Sequence, residues 1–183
     1  MEQKNIDPKA HKQLFLDDHA IERTFAIKRN LHRPSRKGAV IRPDLDMGQA
    51  RVESWTAPLW NPDKALWEWW YNAHYGETEI FMNHYATSED GVHWDRPELG
   101  RYEWQGSKAN NIALDPEEMG LYHILRDEVD PDPARRYKGL FNAKDRYLGV
   151  SPDGFQWDML DVPRSPAKTP RWRSTTHTRS SGS

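Results

Sequence analysis

The side chains that could perform chemistry in this chain are its carboxylates and imidazoles, because the sequence contains no cysteine. That absence excludes a thiol nucleophile, a thiolate metal site and a disulfide framework. Three histidines, His74, His84 and His93, lie close together in the sequence, but their spacing does not place them on one face at the separation of metal ligands. We therefore predict neither a bound metal nor a cofactor.

A second chemically suggestive pattern, SxDGxxW, occurs at residues 88–94 and again at residues 151–157. Its aspartate could bind a ligand, but turn chemistry explains every position. The aspartate accepts backbone N–H groups, the glycine takes a positive φ, the serine caps the strand end and the tryptophan covers the turn. We interpret both copies as folding devices, and we interpret the phrase WNPDK at residues 60–64 as another turn.

The elements that position these residues are predicted to be β-strands. From Val52 onward the apolar residues recur with period two and turn residues interrupt them at short intervals, which is typical of an antiparallel all-β fold. The pattern predicts two successive sets of four strands. The first set comprises residues 51–60, the two strands that flank a turn at 76–77, and residues 92–94; the second comprises residues 120–125, 136–143, 146–151 and 155–160.

The hairpin around residues 76–77 also allows a prediction of strand register. A two-residue turn there pairs Ala73 with Ile80 and makes one face of the hairpin largely apolar. The opposite face mixes rings with hydrogen-bonding groups and sets Trp70 opposite Asn83.

Small sheets that repeat with one shared turn motif indicate a β-propeller of antiparallel four-stranded blades. We predict blade one at about residues 52–95 and blade two at about 119–161, within a partial propeller domain at residues 13–162. A polar segment, residues 1–12, precedes it, and a basic Ser/Thr-rich tail, residues 163–183, is predicted to be disordered. With about two blades, the propeller is incomplete.

Charge and hydropathy restrict the possible partners. The formal net charge is −2, but the tail holds five basic residues and no acid, so residues 1–162 hold 21 basic and 28 acidic groups. This acidic body argues against a nucleic-acid partner, and the basic tail alone is a weak binding footprint. The polar start and the lack of a long apolar run predict a soluble, cytoplasmic protein without a signal peptide or a membrane span, although secreted relatives are compatible with this prediction.

Five phrases carry a family resemblance, and they occur in the order QLFLDDHAIERT, YATSEDGVHWDRPELG, WQGSKANNIAL, DPDPARRYKGLF and VSPDGFQWD. In this order, from about Gln13 to Trp157, the chain resembles the N-terminal part of bacterial five-bladed propeller proteins of the glycoside hydrolase family 32 and 43 type. The resemblance implies a central funnel in which the innermost strands converge and catalytic carboxylates lie at the mouth.

The resemblance also implies site residues. Asp18, in DHAI, is similar to the first catalytic aspartate of the family, with Asp17 as its rival, and Asp127, in LRDEV, is similar to the transition-state-stabilising aspartate. We assign substrate contacts to Trp70, Asn83 and Arg126. The structural alternatives are a solvated strand end for the first two carboxylates, a charge pair with an arginine for Asp127, and core packing for the rings.

Glycosidic cleavage also requires a protonated carboxylic acid, and no glutamate near blade two matches the family's general acid. We therefore expect a glycosidase-like propeller that acts on or binds carbohydrate, impaired as an enzyme because this chain is an N-terminal fragment. The alternative is a non-catalytic carbohydrate-binding or protein-interaction propeller that a further chain, or self-association, completes.

Overall fold

The computed structural model describes residues 17–18, 21–76, 81–115, 120–142 and 145–163, and the backbone of residues 165–166. The chain divides into two compact units, residues 1–36 and residues 37–183. The described part of the first unit contains no helix and no strand. The predicted segment 1–12 and nearly all of the predicted tail lie outside the described residues.

The second unit is built from strands with one short 3₁₀ turn. These elements are β1 Gln49–Glu53, β2 Leu59–Asn61, β3 Leu66–Tyr75, β4 Phe81–Ser88, β5 Gly120–Arg126, the 3₁₀ turn Pro133–Arg135, β6 Tyr137–Asn142, β7 Asp145–Ser151, β8 Asp158–Met159 and β9 Ser165–Pro166. They form two antiparallel sheets that follow one another along the chain. The predicted all-β class is confirmed, and the two sheets have the size and sequence order expected of successive blades.

The first sheet is organised around β3. It pairs with β4 on one edge, and on its other edge with β1 and β2 in succession. The predicted strand 51–60 is therefore two strands, separated by a loop. The predicted fourth strand at residues 92–94 is wrong, because those residues form a bend, and single bridges from Asp95 and Ile112 occupy the outer edge of β4 instead.

The second sheet has the order β5-β6-β7-β8, and β9 pairs with the far end of β7. Its first three strands lie within a residue or two of the predicted ones, whereas the predicted strand 155–160 shortens to the two residues of β8. A bulge at Tyr122 interrupts the pairing of β5 with β6 between Leu121 and His123.

The β3–β4 register differs from the predicted one by two residues. Ala73 pairs with Met82, and Trp70 pairs with Tyr85 rather than with Asn83. The connection is longer than a two-residue turn, and part of it lies outside the described residues. Because a shift of two residues keeps every side chain on its own face, the predicted faces are correct although the predicted partners are wrong.

Two apolar clusters cover the two faces of the first sheet. One lies between the sheets, and its largest rings are Trp70, Tyr85, Tyr137 and Phe141. The other lies on the opposite face and is built around Tyr71, Tyr75, Met82 and Ile112. Aromatic rings fill both, as the composition predicts, since each buried ring removes a large apolar area from water.

The two SxDGxxW turns have the same internal hydrogen bonds. In the first, Gly91 N donates to Ser88 Oγ (2.8 Å), His93 N donates to Asp90 Oδ1 (2.8 Å) and Trp94 Nε1 donates to the Gly91 carbonyl (3.1 Å). The second turn repeats each bond at the same length, and the two glycines have φ of 73° and 81°. The predicted role as a folding device is confirmed.

Candidate functional site

The predicted catalytic aspartates Asp17 and Asp18 belong to the first unit. Asp18 pairs with Arg29 (Nη2 to Oδ1, 2.6 Å), and its side chain is 75% exposed. The same guanidinium donates to the backbone carbonyl of Asp17 at 3.0 Å. Asp18 thus lies in a solvated ion pair, close to the structural alternative that the sequence left open, and its catalytic role stays a prediction.

Asp127 directly follows β5 in the second unit. Its carboxylate pairs with Lys138 and accepts the backbone N–H groups of Val129 (3.0 Å) and Asp130 (3.2 Å). The hydrogen bond from Lys138, with those from the backbone, lowers the pKa of Asp127. The carboxylate is therefore ionised at neutral pH, and its charge partner is a lysine rather than the arginine that the sequence suggested.

Arg126 turns toward the first sheet. Its side chain is only 6% exposed, and it donates to Asp63 Oδ2 (2.5 Å), to the Tyr137 hydroxyl (3.0 Å) and to Glu128. These three acceptors use three of its five N–H donors and hold the side chain in a nearly buried position.

A buried carboxylate that the sequence reasoning missed lies beside Arg126. Glu68 is fully buried and accepts hydrogen bonds from Tyr85 (2.6 Å), Tyr137 (2.6 Å), Asn61 (2.9 Å) and Lys64 (2.8 Å). Burial alone would raise the pKa of Glu68, but these donors outweigh it and the pKa is lowered. Glu68 is thus an ionised carboxylate that links the two sheets by hydrogen bonds, and its burial keeps it out of reach of a substrate.

The WNPDK turn supplies part of that cluster. Asn61 Oδ1 accepts the backbone N–H groups of Asp63 (3.0 Å) and Lys64 (3.3 Å), which is the predicted turn. The same segment also directs Asn61 and Lys64 to Glu68 and Asp63 to Arg126. The available signal was a glutamate within an aromatic-rich strand, four residues after a turn that carries amide and ammonium donors.

The other two predicted substrate contacts lie in the interior. Trp70 is 2% exposed and packs against Tyr85 and Tyr137, which is the core packing that the sequence left open as the alternative. Asn83 is also buried: its Nδ2 donates to the Leu121 carbonyl (3.0 Å) and its Oδ1 accepts the Leu121 N–H (2.8 Å). This side chain fastens β5 to the first sheet.

A partly exposed aromatic platform lies where the β1–β2 loop meets β5. The Trp55 ring lies over Tyr122, with centroids 4.5 Å apart and planes 34° apart, and its edge contacts Phe81 at 5.8 Å. Trp55 remains 41% exposed, and the Arg146 guanidinium lies 6.0 Å from the centre of the Tyr122 ring. We call Trp55, Phe81 and Tyr122 the aromatic platform.

Hydrogen-bonding groups border the aromatic platform. His74 lies 5.7 Å from Phe81 between ring centroids, its Nε2 lies 2.8 Å from Glu53 Oε1, and its Nδ1 lies 3.4 Å from Arg51. The Glu53 side chain is 32% exposed. A ring face flanked by a carboxylate and a guanidinium can stack on a sugar ring and bond its hydroxyl groups.

The described residues contain no group of three or more histidine, aspartate or glutamate side chains that could hold a metal ion. The same part of the chain contains no helix long and apolar enough to span a bilayer.

Comparison with known proteins gives a distant structural likeness. No protein-family model matches the chain, and no curated protein matches it. Among solved structures, the chain is similar to a fructofuranosidase from Schwanniomyces occidentalis, complexed with fructosylnystose, at 18% sequence identity and a TM-score of 0.39. The match covers 59% of this chain and 23% of that enzyme, so it spans less than a quarter of the enzyme's length.

Proposed function

We propose that this chain binds carbohydrate at the aromatic platform, as a module of the glycoside hydrolase family 32 and 43 propeller type. The observation that carries the proposal is the Trp55 ring, which is supported from beneath by Tyr122 and is 41% exposed. A large ring held by a second ring loses little conformational freedom on binding, which favours stacking on a sugar. Glu53 and Arg51 add an acceptor and a donor for hydroxyl groups.

The carboxyl groups whose pKa is shifted are ionised at neutral pH, and this charge state favours binding over hydrolysis. In the described residues, every carboxyl group with a resolved shift has a lowered pKa: Glu68, Asp90, Asp127 and Asp130. A general acid needs a raised pKa so that it keeps its proton at neutral pH. Asp127 has the charge state of a stabilising carboxylate, which suits the role that the resemblance implies for it, but a stabiliser alone hydrolyses poorly.

The test is a titration of the protein with neutral oligosaccharides, after a glycan array of fructans, xylans, arabinans and galactans has identified a binder. Trp55→Ala should weaken binding roughly tenfold or more, as the loss of a central aromatic contact does. The matched control is Trp60→Ala, because Trp60 is 44% exposed and its ring packs edge-on against the ring of Trp67, outside the aromatic platform. Equal affinity of both variants, or no binder on the array, would overturn the proposal.

A further inference from the structure

We propose that the outer face of the second sheet is the contact surface of a symmetric dimer of this chain. We define the outer face by its central residues, Leu125 on β5, Leu140 on β6 and Leu148 on β7. Leu140 and Leu148 are direct cross-strand partners, and the partner of Leu125 is Lys138, two positions from Leu140 on the same face. The opposite face of this sheet packs against the first sheet.

The outer face leaves large apolar side chains accessible to solvent. Leu125 is 43% exposed and Leu148 is 45% exposed, and both flank Leu140 on a strand at the centre of the sheet. Isolated surface leucines are common, but leucines on three adjacent strands of one sheet face are typical of an interaction surface.

The internal repeat indicates that this position is a packing surface. When the serines of the two SxDGxxW turns are superposed, the strand pairings align the two sheets residue by residue. The equivalent pairs are Leu59 with Leu125, Trp70 with Leu140, and Tyr85 with Leu148. In the first sheet these residues pack in the cluster between the sheets, where Trp70 and Tyr85 are 2% and 4% exposed. The second sheet therefore carries apolar residues at the same three positions of its outer face, and two of them, Leu125 and Leu148, are more than 40% exposed.

Charge complementarity favours a second copy of this chain as the occupant. Arg146 and Asp158 lie on the outer face on opposite sides of Leu148, because Arg146 precedes it on β7 and Asp158 pairs with Val150 beyond it. Both are exposed. A two-fold axis through Leu148 brings Arg146 of one copy to Asp158 of the other, twice per dimer, as a closed isologous contact requires. The leucines then bury one another between the two ion pairs.

The first experiment is sedimentation velocity of the full chain from low to high micromolar concentration. The wild type should shift from monomer to dimer as the concentration rises. Leu148→Glu should weaken association at least tenfold, because it places a charge at the centre of the contact. Leu45→Glu is the control, since Leu45 is 79% exposed and lies in the turn before β1 rather than in the second sheet. Circular dichroism and thermal melting verify that each variant is folded.

The second experiment tests the two-fold arrangement by exchanging charges. Arg146→Asp and Asp158→Arg should each weaken the dimer, and the double variant should restore it, because each site then meets its opposite charge in the other copy. A wild type that stays monomeric at the highest concentration, a dimer that survives Leu148→Glu, or a double variant as weak as the single ones would overturn the proposal. If the wild type stays monomeric, the outer face would be a contact surface for a different protein rather than for a second copy of this chain. Trp55→Ala should dimerise like the wild type, which separates this result from sugar binding.

Discussion

The Tyr137 hydroxyl on the second sheet donates a 2.6 Å hydrogen bond to the Glu68 carboxylate on the first. The two residues are 69 positions apart, and both are buried. Tyr85, from the first sheet, donates to the other oxygen of the same carboxylate at 2.6 Å. One ionised side chain thereby joins the two sheets at a point where apolar packing alone would allow them to slide.

Glu68→Gln should destabilise the protein by about 2 to 4 kcal/mol, because hydrogen bonds to a buried charged acceptor are strong and the amide cannot accept from four donors. Urea unfolding at neutral pH measures the change as a lower midpoint. Glu98→Gln, at an exposed position, is the matched control and should lie within about 0.5 kcal/mol of the wild type. Similar midpoints for the two variants would show that the carboxylate does not hold the sheets together.

The sequence predicts most of the strands and the faces of the central hairpin, but not this contact. Period two is a local property, and an error of two residues in the β3–β4 register leaves each face unchanged. Glu68 was therefore placed on the correct face. The contact of Glu68 with Tyr137 depends on how the two sheets pack together. The periodicity within a strand carries no information about that packing.

His84 should make stability depend on pH between about 6.5 and 4. Burial lowers its pKa from an ordinary value of 6.5 to about 4, and its ring bonds the Tyr75 hydroxyl and Asn111 Oδ1, both at 2.9 Å. Between these two pH values the His84 imidazole binds a proton in the unfolded chain but stays neutral in the folded chain. The stabilisation is therefore complete above pH 6.5 and is lost as the pH falls toward 4, by about 3 kcal/mol in total.

The measurement for His84 is urea unfolding at pH 7, 6, 5.5 and 5. His84→Gln should be less stable at pH 7 and should show a flatter dependence on pH, because its amide does not titrate. His32→Gln, which replaces an exposed imidazole, is the control and should follow the wild type. If His84→Gln keeps the wild-type slope, the buried imidazole is not its source.

The candidate site could be predicted only in part, for reasons that particular residues make clear. The resemblance points to Asp127 and Arg126 at the end of β5, and their site roles stay predictions, whereas the partners Lys138 and Asp63 come from a neighbouring strand and from a turn. Trp55 was read as part of one strand at residues 51–60. Its position over Tyr122 depends on the break between β1 and β2 and on the bulge in β5, and neither irregularity has a periodic signature.

Gly154→Ala should be far more damaging than Gly91→Ala, although the two glycines occupy equivalent turns. Both have positive φ, so each substitution costs about 1 to 2 kcal/mol from backbone strain. A Cβ at Gly154 would lie 2.4 Å from Trp70 Cζ2, whereas one at Gly91 would lie 3.9 Å from Trp67 Nε1, an ordinary van der Waals distance. Since Trp70 is buried and cannot move freely, Gly154→Ala should cost about 2 kcal/mol more than its counterpart. Thermal and urea unfolding of both variants measure the difference, and equal costs would contradict the close approach.

Asn83→Ala should loosen the second sheet from the first. The Asn83 amide accepts from the N–H of Leu121 and donates to its carbonyl, so it takes the place that a neighbouring strand would have on the edge of β5. Its loss leaves two buried backbone groups without their partner, which costs about 2 to 4 kcal/mol. Hydrogen exchange should then show faster exchange at Leu121 than at strands β6 and β7, because opening begins at the edge that has lost its bonds.

Asn142→Ala is the matched control, since no hydrogen-bond partner of Asn142 Oδ1 is found in the described part of the chain. Uniform loss of protection across both sheets would instead assign Asn83 to global stability alone.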